Sequence, residues 1–295
     1  MKRPLAAFVL TVLAGAVGGV LTGQTPASAA VTGATVRSDQ TEFNAESPKV
    51  AKALCPEGKR VTGGFGRVTG DPRHVVLTRM EPVHTNGLDR FEVVASADET
   101  DPTNQWAVTA VAICADPLPG QQIFSRTVNA PPGAEGQPAT ATCPDDLLMI
   151  GSGGRITGGQ GEVHLSRTGP VNEFSIGQAS AAGTADSTGF AGAWSVTAFV
   201  VCARVPAADL ARPVEDSVLN SESPKAAHVT CPAGMFVTGG GGNGVNDATG
   251  NVVIQAIMPE ALPGAIPGDE ATLTLRENNP VGGNWLARAR LHCAR

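Results

Sequence analysis

The dipeptide Cys-Pro occurs at Cys55, Cys143 and Cys231, 88 residues apart each time. Each opens a matching segment: CPEGKRVTGG, CPDDLLMIGS and CPAGMFVTGG. Three further segments, WAVTAVAICA, WSVTAFVVCA and WLARARLHCA, each place Trp eight residues before Cys, at Trp106, Trp194 and Trp285. One unit is therefore written three times, and whatever the chain folds into must accommodate it threefold. Between these anchors VVLTRMEPV matches VHLSRTGPV, and the third copy, VVIQAIMPE, carries one extra residue. NAESPK at Asn44 matches NSESPK at Asn220.

Six cysteines can pair in 15 ways. The repeat favours one, joining the first and last Cys of each unit: Cys55 with Cys114, Cys143 with Cys202, Cys231 with Cys293. In the chain-entropy model a loop of this length is worth ~4 kcal/mol to the folded state. That matters for a unit this small with scarce aromatics and no Tyr, whose core is thin. Zinc is the rival use of such cysteines, but no CxxC or Cys/His pair with ligand spacing is present.

Short Val, Thr and Ile runs broken by Gly and Pro predict an all-β chain. On the closing strand, Trp106, Val108, Ala110, Ala112 and Cys114 share one face by the two-residue period of a strand, which assigns that face to the core. The expected layout is a signal peptide over 1–30 and β repeats over 31–117, 118–205 and 206–295. Two architectures satisfy it: three tandem disulfide-bridged β-sandwich-like repeats, or a single threefold β-prism-like body. The framework Cys-Pro-x-Gly, Val-x-Gly-Gly, Trp-x-Val-x-Ala and final Cys-Ala resembles repeats in secreted proteins of high-GC Gram-positive bacteria, most without an assigned activity. The resemblance covers nearly all of the mature chain and implies a compartment rather than a chemistry. The three-unit, disulfide-framed plan also resembles the vitelline membrane outer layer protein, a β-prism.

Lys2 and Arg3, an apolar run from Leu5 to Leu21 and small residues at 27, 29 and 30 read as a secretory signal cleaved after Ala29 or Ala30. Without it the net charge is about −8, which argues against nucleic acid and anionic membranes as partners. The expectation is a secreted, extracellular protein with no membrane insertion after cleavage; its oligomeric state is left open.

GGGGNG, from Gly239 to Gly244, fits the GxGxxG pattern of a dinucleotide cradle. Its counterparts GGFGRV and GSGGRI do not complete it, and no strand-turn-helix context follows, so the glycines are expected to mark a bulge or a close backbone approach. No GxSxG, HExxH or P-loop is present, so no catalytic, cofactor or metal residue is assigned. His84 near Asp89, in VHTNGLDR, is the first candidate for a general base, weighed against a solvated loop histidine. Asp98, Asp101 and Asn104 could offer oxygens to Ca²⁺ but lack the loop signature. Asp145 and Asp146 suit a turn better than a glycosidase pair.

The residues that recur are Cys, Pro, Gly and Trp, all scaffold types, while polar loop residues diverge. The expectation is a noncatalytic extracellular or cell-surface binding or structural module, with a secreted hydrolase or enzyme inhibitor bearing an unrecognised site as the alternative. A lectin with three equal sites is disfavoured by the lack of aromatic platforms. One polar cluster departs from its repeat. Arg288, Arg290 and His292 line the outer face of the last strand, and Arg276 joins them if ATLTLRE pairs alongside. Such a stripe would suit an acidic extracellular polymer or surface protein, or else be a solvated sheet face.

Overall fold

The computed structural model describes residues 31–70, 74–98, 105–247 and 250–295. The expected signal peptide, and Asp101 and Asn104 of the candidate cation loop, lie outside the described residues. The first unit supplies β1 (Thr35–Gln40), β2 (Lys49–Leu54), β3 (Arg60–Gly70), β4 (Val75–Thr85), β5 (Leu88–Ala97) and β6 (Trp106–Ala115). The second supplies β7 (Gln122–Ala130), β8 (Gly136–Thr142), β9 (Leu148–Thr157), β10 (Val163–Pro170), β11 (Gln178–Ala185) and β12 (Trp194–Ala203). In the third, Arg212 and Pro213 split the first strand into β13 (Leu210–Ala211) and β14 (Val214–Asp216). Then come β15 (Lys225–Thr230), β16 (Phe236–Val245), β17 (Val252–Pro259), β18 (Glu270–Glu277) and β19 (Leu286–Ala294).

Three antiparallel sheets result, ordered β1-β6-β3-β17-β18-β15, β2-β5-β4-β9-β12-β7, and β13-β19-β16-β10-β11-β8 with β14 also on β19. One rule generates all three. Each unit forms two half-sheets, first-sixth-third and fourth-fifth-second, held face to face by its disulfide, and the third strand of one unit pairs with the fourth of another. The fold is thus all-β, each unit is a disulfide-bridged sandwich, and the sandwiches share their sheets around a closed threefold arrangement. The two architectures that the repeat admits coexist. Each seam is short, with two paired residues: Arg79 and Met80 opposite Arg155 and Gly154, Arg167 and Thr168 opposite Asn243 and Gly242, Ala256 and Ile257 opposite Arg67 and Gly66. The ring closes where the Val31 amide donates to the Arg295 carbonyl, at 2.7 Å.

Disulfides join Cys55 to Cys114, Cys143 to Cys202 and Cys231 to Cys293, each with Cα atoms 5.7–5.8 Å apart. Each links the residue after a unit's second strand to its sixth strand, clamping one half-sheet on the other. The three tryptophans are buried eight residues away, towards the other end of each sixth strand, in a core that runs through all three units. The NAESPK and NSESPK motifs cover two of these rings: Lys49 lies 4.9 Å above Trp106 and Lys225 4.1 Å above Trp285. Burial lowers both ammonium pKa values.

The glycine-rich stretch finds its reason at the centre. Thr62, Ile150 and Thr238 are each the extra residue of a β-bulge in the third strand of their unit, and Gly63, Gly151 and Gly239 follow them. There the three strands touch. A Cβ on Gly63 would lie 2.5 Å from the Thr238 carbonyl oxygen, one on Gly151 would overlap that of Thr62, and one on Gly239 would lie 3.4 Å from the Gly63 Cα. At Gly63 and Gly151 backbones this close leave no room for a side chain, whereas a Cβ on Gly239 would make only van der Waals contact. Thr238 Oγ donates to the Ile150 carbonyl at 2.7 Å and Thr62 Oγ to the Thr238 carbonyl at 3.2 Å, while Ile150 has no hydroxyl to close the ring.

Candidate functional sites at two seams

Two seams carry polar side chains that the repeat does not. The first joins β4 to β9. Thr85 pairs with Leu88 around Asn86 and Gly87, both in the left-handed region at φ 53° and 75°, which makes a type I′ turn whose twist suits a hairpin. That turn fixes the register, and the register puts His84 directly opposite Asp89.

His84 Nδ1 lies 2.9 Å from Asp89 Oδ1, and Arg60 Nε donates to Oδ2. The Asp89 side chain is buried while 42 % of the His84 side chain is exposed. A carboxylate can only accept, so Nδ1 carries the hydrogen and Nε2 is the nitrogen left for a ligand.

On the same strand Glu81 directly precedes Pro82, and its partner across on β5 is Glu92. Arg155, across the seam on β9, donates through Nη1 to both Glu81 oxygens, at 3.1 and 3.3 Å. Its guanidinium lies 5.1 Å from the centre of the Phe199 ring. Burial holds the Glu81 carboxyl above the usual range, against the pull of Arg155 and Arg79. Burial pushes Glu92 the same way, but the hydrogen bond and charge of Arg90, with Lys52 and Arg79, bring it below.

These groups surround a groove of about 560 Å³ lined by Arg60, Glu81, His84, Arg155 and Phe199, with Gln122, Ile123 and Ser125 also contributing. The repeat shows how local this is. Arg60 corresponds to Leu148 and Phe236, and Glu81 to Gly169 and Met258. Glu81 was legible as a departure immediately before three aligned prolines, yet the matching scaffold around it hides the signal. His84, the candidate general base, does gain a carboxylate partner. Ser125, however, sits on β7, three strands along the sheet from β4, or roughly 14 Å in a flat sheet. That separation is too large for His84 to activate it.

The second seam joins β10 to β16. Asn243 pairs with Arg167 on one side and Arg288 on the other, so these three side chains form a row across three strands, with Arg290 beside it. Arg288 makes a bidentate pair with Asp216, at 2.7 and 2.6 Å, and this hydrogen bond raises its pKa. Arg290 is buried, donates through Nη1 to Asn243 Oδ1 at 2.6 Å, and has a pKa lowered to about 10 by burial and by repulsion from Arg167 and Arg288. Arg167 donates to the Val171 carbonyl at 2.6 Å, and its pKa is also lowered, by burial and Arg288. Asp216 and Glu173 are the acids that act on this cluster, so three guanidinium groups outnumber their carboxylates.

The stripe expected from the sequence is rearranged here. β18 and β19 belong to different sheets, because the fifth and sixth strands of a unit enter opposite half-sheets, and Arg276 is therefore not beside Arg288. Arg276 is buried and donates to the Val75 carbonyl at 2.8 Å. His292 is buried at the centre, where the three units meet, and its Nε2 lies 2.8 Å from Ser152 Oγ. Arg167, from the second unit, takes the place these two leave. No pattern within a single unit points to it, since the seam is a contact between units.

Asp98 lies 2.9 Å from His74 Nδ1. Asp146 pairs with Arg204 on the surface, and Asp145 beside it is exposed. Among the described residues no group of three or more His, Cys, Asp or Glu could hold a metal ion, and no helix is long and apolar enough to cross a membrane. No family model matches the chain, and no curated protein matches it either.

Proposed function

We propose that the protein is a secreted, noncatalytic binding module that contacts an acidic extracellular polymer or surface partner through Arg167, Arg288 and Arg290. The observation that carries this reading is the crowding of three arginines around Asn243 with two acids acting on them. Like charges brought together under partial burial cost free energy, and an anion placed among them recovers part of it. Arginine offers a planar fork to carboxylate or phosphate, which makes the cluster suited to repeated anionic groups on a polymer. Three disulfides fit an oxidising, extracellular setting.

The test is co-sedimentation of purified protein with an insoluble anionic wall polymer across a range of salt. Arg167→Ser with Arg288→Ser removes the two more exposed arginines and leaves the Arg290 to Asn243 bond in place. The parent should sediment at low salt and release as salt rises, and the double variant should stay in solution. Equal sedimentation of the two would remove this face from consideration.

A further inference from the structure

The groove between β4 and β12 has a chemistry of its own, independent of the arginine cluster. We infer that it is a saccharide-binding site, taking a neutral, hydroxyl-rich ligand.

The charges lining it cancel in place. Arg60 is matched by Asp89, which also holds His84, and Arg155 is matched by Glu81. An anion entering the groove would compete with Asp89 and Glu81 for these arginines, and a cation would compete with the arginines for the acids. Either exchange loses a charge-assisted bond to gain another. A neutral ligand loses nothing, because each paired group retains unused hydrogen-bonding capacity. A guanidinium has five N–H donors, and Arg155 engages Glu81 through Nη1 while Arg60 engages Asp89 through Nε. His84 keeps Nε2, and Gln122 and Ser125 add donors and acceptors from the opposite wall.

These groups are held still by their partners, which lowers the ordering cost of binding. Phe199, Ile123, Pro82 and Val83 lie among them, so apolar surface alternates with polar, as the C–H and O–H groups of a sugar ring do. The volume, about 560 Å³, lies in the range of small-ligand sites. A peptide adding a strand is less well served, because the β9 and β12 strands of the floor are already paired on both sides. The other two units lack the counterparts of Arg60 and Glu81, so the described residues form one such groove rather than three equal ones.

Calorimetric titration with neutral trisaccharides tests this, using glucose-, mannose- and N-acetylglucosamine-based members. At least one should bind saturably in the millimolar range or tighter. His84→Ala and Gln122→Ala should each weaken it, the first by about tenfold or more. Both residues are exposed, and if His84→Ala lowers the melting temperature, Gln122→Ala carries the comparison. Arg167→Ser with Arg288→Ser should leave trisaccharide binding unchanged, which separates this site from the anionic one. Failure of all three sugars to bind, or undiminished binding by both groove variants, overturns the inference.

Discussion

His292 Nε2 and Ser152 Oγ lie 2.8 Å apart, joining the last strand of the third unit to the third strand of the second. The corresponding residues elsewhere are Ile113 and Val201 for His292, and Gly64 and Gly240 for Ser152. A polar pair has therefore replaced an apolar one at the place where the units meet, and it is fully enclosed.

That enclosure makes the protein sensitive to acid. Burial, followed by Arg212, lowers the His292 pKa to about 3, and burial lowers that of His164 to about 4, with Asp247 opposing and Arg276 assisting. Both are below the ordinary value of 6.5, so the unfolded chain binds protons that the folded one refuses. The stability is complete above pH ~6.5 and is lost as pH falls towards ~4 and then ~3, by an amount on the order of 3 kcal/mol or more for each histidine. His164→Val, which installs the residue found at Val76 and Val253, should flatten the fall of melting temperature between pH ~6.5 and ~4. An unchanged slope would mean that His164 titrates normally.

The central contact predicts a different sensitivity. Gly151→Ala puts a Cβ into the Thr62 carbonyl, where backbone must move, whereas a methyl on Gly58 would meet nothing within 4 Å and has only a positive φ to oppose it. Gly151→Ala should cost at least ~2 kcal/mol in denaturant unfolding, with Gly58→Ala nearer ~1 kcal/mol. Equal costs would show that the three strands are less tightly packed at the centre.

Shared sheets also predict how the molecule melts. Each unit on its own would leave a third and a fourth strand without their partners across the seam. The oxidised protein should therefore unfold in one calorimetric transition, with calorimetric and van't Hoff enthalpies in agreement. Three resolved transitions would show that the sandwiches are independent despite their seams.

The strands, the cysteine pairing and the buried face of each closing strand were legible because they are local or repeated: Trp106 to Cys114 alternates by twos, and the same spacing returns twice. The seams were not. Nothing within a unit says which strand its third strand will pair with, so Arg167 and Arg288 stand 121 positions apart in sequence without a pattern to connect them. The same blindness placed β18 beside β19, since neighbouring strands usually pair and here the chain crosses to another sheet. His84 and Asp89 could be linked because a hairpin brings them together, but Arg60 reaches Asp89 from outside that hairpin.

Asp216 offers the most direct probe of the arginine cluster, because it already occupies the position an anion would take on Arg288. The pair is about one-third exposed on both sides, and such pairs contribute only ~0–1 kcal/mol to stability. Asp216→Asn should therefore leave folding nearly intact while removing one of the two acids that act on Arg288 and Arg290. With its competitor gone, Arg288 should bind an anionic polymer more tightly, so the salt concentration that releases the protein should rise. A ligand that instead depends on Asp216, through a cationic group, would give the opposite result. Release at lower salt in Asp216→Asn than in the parent would thus identify the partner as basic and reverse the assignment of this face.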